Sequence, residues 1–221
     1  NAAGYYPQPD DAPMFLDIQR AGLMTAQIGK THWTAGPAWH EQFKNSGAFF
    51  KAIGLDHVAD IPGPPDSTKG RDPYSQHLQK LGILQSVADD LHGRCVKGEF
   101  APRASVVKTE DYHDWFTTGL AVDFIGQQPK DKPMCLVVSL HSPHPPLDAP
   151  GDYATMFDPE KLTLPANVPE KYLRDGHALD QSETRRMLAN YLGKIALVDD
   201  CVGRLVEAMK ALDTLVVIDP Y

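Results

Sequence analysis

Hydrophobic and polar positions follow two different periods along the chain, and they predict helices and strands in alternation. Apolar residues at 14, 15, 16 and 18, followed by Gly22, predict a short helix over Met14–Arg20. The run 24–28 alternates and predicts a strand. The nearly continuous apolar run 134–140 predicts a strand covered on both faces of a sheet.

The longest helical pattern lies near the end of the chain. From Met187 to Leu212 apolar residues recur at steps of three and four, which predicts a helix of about 30 residues that Ser182 can cap. Thr109 is expected to cap another helix that ends near Gln128. The run 214–218 predicts a further strand. Because strands alternate with helices, we expect an α/β fold with a largely parallel sheet.

The segment 34–108 has a less regular pattern. Several apolar positions indicate buried structure, namely Phe49, Phe50, Ile53 and Leu55. The proline-rich stretch 61–67 predicts a loop, and 74–81 predicts a short helix that Gly82 ends. A long variable excursion of this kind often carries specificity.

Composition excludes several classes of protein. The 221 residues are 42% hydrophobic and 23% charged, which is typical of a folded globular chain. With 21 basic and 29 acidic residues the formal charge is −8, and no basic run favours nucleic acid. No apolar stretch approaches the roughly 20 residues that span a bilayer. We therefore expect a soluble protein without a membrane span.

The three cysteines do not indicate a disulfide framework or a zinc site. Cys95, Cys135 and Cys201 are sparse, odd in number and without a CxxC pair. We interpret Cys135 and Cys201 as core residues, because one lies within a predicted strand and the other near the apolar stripe of the last helix.

Two polar clusters follow two of the predicted strands. Lys30 and His32 come directly after the strand 24–28, and His141 and His144 come after the strand 134–140. Ligands of open α/β sheets bind outside the carboxyl ends of the strands, so the two clusters could meet in one crevice. A lysine suits an anionic oxygen, and histidines donate hydrogen bonds or move protons near neutral pH. Together they favour a site for a sulfate or phosphate ester; the alternative is a solvated lysine beside histidines that pack at loop corners.

Other kinds of site are less well supported. A phosphate-binding P-loop needs a glycine at position 24, where Met24 stands. His141 and His144 lack further ligands at a zinc spacing, and the chain contains neither GxSxG nor GxGxxG. The pair Asp199 and Asp200 lies inside the predicted long helix, so it is better explained by helix surface or one hydrogen bond than by metal binding.

Four segments resemble, in order, motifs of the type I sulfatases. Residues 21–33 read AGLMTAQIGKTHW, similar to that family's AGY-x-TA-x-x-GK-x-H signature. Residues 140–150 are LHSPHPPLDAP and resemble its H-x-PH-x-PL-x-AP segment. Residues 195–205, IALVDDCVGRL, resemble its helix ending LD-x-x-VG-x-L, and 214–218, TLVVI, its strand TLVVF.

The resemblance implies a fold, an activity and roles for four residues. It implies an alkaline phosphatase-like fold, with a mixed, mainly parallel sheet between helices. It implies hydrolysis of sulfate esters by a formylglycine nucleophile beside a bound Ca²⁺. Lys30 would contact the sulfate and the leaving oxygen, and His32 would hydrogen-bond the formylglycine hydroxyl and assist sulfate release. His144 would contact the ester and help protonate the leaving group, and His141 would form part of the substrate-binding wall.

The sequence departs from the family pattern in its nucleophile and metal ligands. No C/S-x-P-x-R occurs, so none of the cysteines is a formylglycine precursor. The paired aspartates of the family's first strand are absent, and Pro220 follows Asp219 where the family has histidine. No Ca²⁺ ligand is therefore assigned in this chain. We expect residues 1–221 to be an incomplete sulfatase catalytic domain, an internal fragment that is inactive by itself, with 34–108 as its variable excursion.

Two alternatives stay open. A phosphonate monoester or phosphodiester hydrolase of the same superfamily would share the pocket, and a non-catalytic anion-binding relic could be complete at this length. The expected substrate is a small-molecule or carbohydrate sulfate ester. The sequence does not determine which ester, the compartment or the oligomeric state.

Overall fold

A parallel sheet forms the centre of the fold. The computed structural model describes residues 14–31, 47–64, 66–95, 102–164, 181–210, 212 and 215–219. Its four strands pair in parallel in the order β2-β1-β3-β4. They are β1 (Met24–Gly29), β2 (His57–Asp60), β3 (Met134–Ser139) and β4 (Leu215–Asp219).

The register of the sheet brings the carboxyl ends of its strands to one edge. Gly29 pairs with Asp60 on one side and with Ser139 on the other, and Ser139 pairs with Asp219. The segments that follow β1, β2 and β3 therefore leave the sheet side by side. This edge is where parallel α/β sheets bind their ligands.

Helices connect the strands, as parallel pairing requires. They are α1 (Met14–Arg20), α2 (47–52), α3 (Pro73–Lys80), α4 (Leu84–Cys95), α5 (His113–Gln127) and α6 (Gln181–Met209). Short 3₁₀ turns lie at Asp66–Thr68, Thr109–Asp111, Gly151–Ala154 and Pro159–Lys161. None of the described helices is long and apolar enough to cross a membrane.

The two faces of the sheet are covered by separate apolar clusters. On one face Ala26 and Ile28 of β1 pack in the main core with buried residues of α3, α4, α5 and α6. On the other face a smaller cluster contains Phe15, Phe50, Ile53 and Leu55, with Val58 and Val137 packed against it. The alternation of side chains along each strand sends neighbouring residues to opposite clusters. The expected α/β fold, with a mainly parallel sheet between helices, is confirmed.

Two predicted helix starts are wrong. Thr109 lies in a 3₁₀ turn closed by a bond from the Tyr112 amide to its carbonyl. Tyr112 is extended, and α5 begins at His113. Ser182 does not cap α6, because the helix already includes Gln181.

Several elements of the segment 34–108 were not predicted, among them the helix α2. Neither β2, which has four residues, nor α4 was predicted. Both lie in the segment 34–108, so this stretch supplies the edge strand that pairs with β1. Helix α6 ends at Met209. Leu212, which was predicted to lie in this helix, instead packs on the core from the segment that follows it.

Candidate active site

Lys30 leaves the sheet directly after Gly29, which pairs with Ser139 of β3. Its backbone amide donates to the Ser139 carbonyl at 3.0 Å. Gly29 has φ +107°, and a Cβ on it would lie 2.0 Å from the same carbonyl oxygen. A glycine is therefore required here, since any side chain would push β1 and β3 apart. This constraint keeps Lys30 next to residues 141–150, which follow β3 and are called the histidine loop below.

Lys30 and His141 converge on one point above Gly63. A Cβ placed on Gly63 would lie 2.8 Å from Lys30 Nζ and 3.1 Å from Nδ1 of His141. Gly63 belongs to the loop after β2, so three neighbouring strand ends contribute to the same place. Lys30, Gly63 and His141 are called the Lys30 pocket from here on, and His144 lies next to His141 at its border.

Three histidine rings lie in a row beside this point. The ring centroids of His113 and His141 are 5.3 Å apart, and those of His141 and His144 are 5.0 Å apart. Nε2 of His113 lies 3.1 Å from the Pro62 carbonyl and Nε2 of His141 lies 3.3 Å from the Pro145 carbonyl. A carbonyl only accepts, so both Nε2 atoms carry hydrogen.

The other ring nitrogens of these two histidines are buried acceptors. Nδ1 of His113 and Nδ1 of His141 have no hydrogen-bond partner within the described residues. Nδ1 of His141 and Nζ of Lys30 both lie close to the position that a Cβ on Gly63 would take. His141 therefore offers an acceptor, and Lys30 a donor, to the same small volume.

His144 is the exposed member of the row. Its Nδ1 lies 2.7 Å from the Pro145 carbonyl and donates to it. The lone pair of the neutral ring is then on Nε2. His144 can thus exchange a proton at Nε2 with a bound molecule while its other nitrogen is held by the loop backbone.

A buried carboxylate fixes the start of the histidine loop. Asp114, in the first turn of α5, is fully buried. Its Oδ1 accepts from the amides of His141 at 2.6 Å and Ser142 at 3.0 Å, and its Oδ2 accepts from the Ser142 hydroxyl at 2.6 Å. Bonds to a charged acceptor are stronger than neutral ones, so Asp114 holds His141 against α5.

Burial and neighbouring charges set the electrostatics of the Lys30 pocket. Burial lowers the pKa of Lys30, while the carboxylates of Asp114 and Asp66 oppose this change. Burial lowers the pKa of His141 well below its ordinary value, and the charges of His113 and Lys194 lower it further. His141 is therefore neutral at pH 7, and its imidazole borders the site as a polar, uncharged wall.

The described residues do not supply the calcium site that the family resemblance implies. Within the described ranges no three His, Cys, Asp or Glu side chains are grouped so that they could hold a metal ion. Asp200 instead accepts a hydrogen bond from the Tyr153 hydroxyl. We derive no chemical step through a metal.

Of the four predicted site residues, Lys30 and His141 both lie beside Gly63, and the ring of His144 is 5.0 Å from that of His141. His32 lies outside the described residues. Cys135 and Cys201 are buried, and burial raises the pKa of Cys201 to about 12, so it is a core thiol. Cys135 likewise has a raised pKa because of burial.

Sequence analysis missed four residues that build the site. Gly63, His113, Asp114 and Lys194 carry no motif of their own. Lys194 gave a usable signal, because it interrupts the apolar face of α6 on the side that faces the core. The other three become recognisable only when the strand ends are brought together.

A family model matches almost the whole chain. The sequence profile described as Sulfatase matches residues 13–218. An ulvan-active sulfatase from Formosa agariphila is 33% identical over 87 residues, which is 39% of this chain and 16% of that protein. The multifunctional alkaline phosphatase superfamily protein PehA from Trinickia caryophylli is 31% identical over 99 residues, 34% of this chain and 19% of that protein.

A solved structure shows the same fold. The phosphonate monoester hydrolase SpPMH from Silicibacter pomeroyi superposes with a TM-score of 0.65 at 22% identity, over 97% of this chain and 48% of that chain. The chain therefore spans about half of this solved structure and aligns with less than a fifth of each curated relative.

Proposed function

The chain belongs to the sulfatase family of the alkaline phosphatase superfamily, and we propose that it supplies one side of the active site of a sulfate ester hydrolase. The nucleophile of the proposed reaction is a formylglycine that lies outside this chain. The proposed substrate is a small-molecule or carbohydrate sulfate ester. By itself the chain is proposed to be inactive, because it lacks the residue that attacks sulfur.

One observation carries this proposal. Lys30 Nζ lies beside Gly63 and His141 at the carboxyl ends of three parallel strands, and the ring of the exposed His144 is 5.0 Å from that of His141. A sulfate ester carries one negative charge shared by its non-bridging oxygens. When the ester bond breaks, charge also grows on the leaving oxygen. A half-buried ammonium can bind a non-bridging oxygen, and a histidine can give a proton to the leaving oxygen.

The proposed roles follow from the chemistry of each side chain. Lys30 would bind a non-bridging oxygen and stabilise the leaving oxygen, because its ammonium is a compact charge at the end of a flexible stem. His144 in its protonated form would donate the Nε2 proton to the leaving oxygen. His32 would hydrogen-bond the formylglycine hydroxyl and assist release of sulfate.

His141 would limit where the anion lies. Its Nδ1 lone pair repels an anionic oxygen, and its ring is held by Asp114 through the loop backbone. The sulfate group is therefore expected on the Lys30 side of the pocket. In this position His141 forms the wall that separates the anion from the buried ring of His113.

The decisive experiment uses the full-length protein that contains this chain. Turnover of an aryl sulfate and of the matching aryl phosphonate is measured under the same conditions. We expect the sulfate to react faster, and Lys30→Ala to lower kcat/KM by about 100- to 1,000-fold, as loss of a donor to a developing anion does elsewhere. Lys51→Ala, on the exposed surface of α2, is the control and should leave kcat/KM unchanged.

Two outcomes would change the conclusion. Faster phosphonate turnover would favour a phosphonate monoester or phosphodiester hydrolase, since a phosphonate monoester hydrolase has the same fold. A natural protein of about the length of this chain would favour a non-catalytic anion-binding relic. The parent gene tests the nucleophile directly: its upstream sequence should encode C/S-x-P-x-R, and another residue at the first position would exclude a formylglycine sulfatase.

A further inference from the structure

A buried lysine lies on α6 where an apolar side chain would be expected. Lys194 is 0% exposed and ranks with the largest fully buried side chains among the described residues. Removing an ammonium from water is costly unless hydrogen bonds and an opposite charge replace the lost hydration. The groups that contact the Lys194 ammonium therefore indicate the role of this residue.

Among the described residues, the polar partners of Lys194 Nζ all belong to the histidine loop. The ammonium donates to the carbonyls of His144 and Pro146, both at 2.8 Å. Asp148 Oδ1 lies 3.5 Å away and also accepts from the Tyr112 hydroxyl at 2.8 Å. The ring of Tyr112 lies below the ammonium, 5.8 Å from Nζ to the centroid. The ammonium therefore makes two hydrogen bonds and one ion pair with the histidine loop.

The packing of α6 brings Lys194 close enough to make these bonds. A Cβ on the preceding residue, Gly193, would lie 2.2 Å from the Tyr153 carbonyl oxygen and 3.2 Å from the Ala149 side chain. The helix backbone thus touches the end of the histidine loop directly. Asp114 holds the start of the loop and Lys194 holds its middle, so His144 lies between two charged anchors.

The charge of Lys194 also reaches the Lys30 pocket. It lowers the pKa of Lys30, where it adds to burial and acts against Asp114 and Asp66. It likewise lowers the pKa of His141, together with burial and the charges of His113, Lys30 and His144. A buried cation behind the loop therefore acts on both residues that face Gly63.

We propose that Lys194 is a positioning residue for the sulfate ester chemistry: it fixes the backbone that presents His144 and adds a buried positive charge behind the anion pocket. It acts through His144 and Lys30 and does not touch the substrate. This inference rests on the proposed function, since the loop matters for turnover only if His144 takes part in it.

The test compares Lys194→Met with Lys194→Arg in the full-length protein. Methionine keeps much of the side-chain length and removes the charge. We expect Lys194→Met to lower kcat by about 100-fold, as small misplacements of catalytic groups do, with a smaller change in KM. Its activity should extend to higher pH, because removing the like charge raises the pKa of Lys30. Lys194→Arg keeps the charge and should keep the alkaline limb of the wild type.

A control and a second variant keep the outcome decisive. Lys210→Met makes the same substitution at an exposed lysine just after α6, where it pairs with Glu207, and should change neither kcat nor the pH profile. A folded Lys194→Met variant with the kcat and alkaline limb of the wild type would overturn the proposal. If it does not fold, the double variant Lys194→Met/Asp148→Asn removes both buried charges together, and wild-type kcat in that protein would overturn it equally.

An NMR titration separates this inference from the proposed function. Removing Lys194 should raise the pKa of His141, which is measurable from its ring resonances without any turnover, whereas Lys210→Met should not change it. If the wild type hydrolyses neither sulfate nor phosphonate esters, the proposed function fails. An unchanged pKa of His141 in Lys194→Met would instead reject the role of Lys194.

Discussion

At the scale of single residues, the absence of a side chain at Gly63 shapes the candidate site. Its φ lies outside the left-handed range, so alanine fits the backbone there. An added methyl would lie 2.8 Å from Lys30 Nζ, which is the mobile end of a flexible side chain. The ammonium must therefore move, and the His141 ring, whose Cε1 and Nδ1 lie 3.1 Å from the added carbon, must give by a few tenths of an ångström.

We predict that Gly63→Ala separates activity from stability. In the full-length protein kcat/KM should fall about tenfold or more, because Lys30 is displaced from the oxygen it binds, while the melting temperature changes little. Gly119→Ala, on α5, is the matched control because no atom lies within 4 Å of its added Cβ. Steady-state kinetics and thermal unfolding of both variants provide the measurement. Unchanged kinetics for Gly63→Ala would show that the pocket is wider than the geometry indicates.

A second residue at the same sheet edge should make stability depend on pH. Asp60 is buried at the end of β2, and its Oδ1 accepts from the amide and hydroxyl of Thr31. Burial raises its pKa to about 6, with a smaller contribution from the charge of Asp72. The native state then holds this proton at pH values where the unfolded chain has released it, so this group destabilises the fold as pH rises from about 4 to about 6.

We predict that Asp60→Asn removes this dependence. Relative to the wild type, the free energy of unfolding of the variant should increase by about 2–3 kcal/mol between pH 4 and pH 7. Urea unfolding of both proteins at the two pH values measures this difference. If the free energies of unfolding of the two proteins differ by the same amount at pH 4 and at pH 7, the raised pKa of Asp60 is contradicted.

At the scale of elements, α6 connects the core to the site. One face of the helix packs Leu197, Cys201 and Leu205 into the main cluster. In the N-terminal half of the helix, Gly193 contacts the turn Gly151–Ala154 and Lys194 contacts the histidine loop. The helix therefore couples the position of the loop to the packing of the core.

Two glycines on this helix should respond to alanine in opposite directions. Gly193→Ala forces a methyl to within 2.2 Å of a backbone oxygen, which cannot move cheaply, so it should destabilise the protein by about 1–3 kcal/mol. Gly203→Ala meets no atom within 4 Å and should stabilise the helix by about 0.5–1 kcal/mol. Urea unfolding of the two variants tests this. Equal effects at both positions would mean that the close contact at Gly193 does not constrain the helix.

At the scale of the whole molecule, a chain of net charge −8 places cationic groups where an anion is expected to bind. Lys194 is buried and Lys30 is half-buried, so counter-ions screen them less than they screen surface charges. Net charge argues against nucleic acid as a partner, but it does not exclude a sulfate ester.

The isolated chain should fold its described core but not hydrolyse sulfate esters. Its sequence contains no formylglycine precursor motif, and the described residues form no metal site. We predict no turnover of an aryl sulfate by residues 1–221, against measurable turnover by the full-length protein, with circular dichroism to verify folding. Turnover by the isolated chain that Lys30→Ala abolishes would contradict this prediction.

Much of the framework follows from the sequence by itself. Three elements are recognisable because each has a clear apolar pattern bounded by glycine or proline. They are the helix Met14–Arg20 and the strands β1 and β3. The family motifs around Lys30 and His141–His144 are also recognisable from the sequence, because each motif lies within one short continuous segment. The strand β2 was not predicted, because it has only four residues and one of them, His57, is exposed, so its pattern is too short to recognise.

The tertiary structure alone decided how the site is built. Gly63 and Asp114 lie far from Lys30 along the chain, and their roles arise only because three parallel strands end at one edge. Lys194 resembles a break in an apolar stripe until packing places it against the histidine loop. Sequence periodicity reports which face of an element is buried, since that depends on neighbours within a few residues. Which groups meet across that face depends on strand order and register, which bring distant residues together.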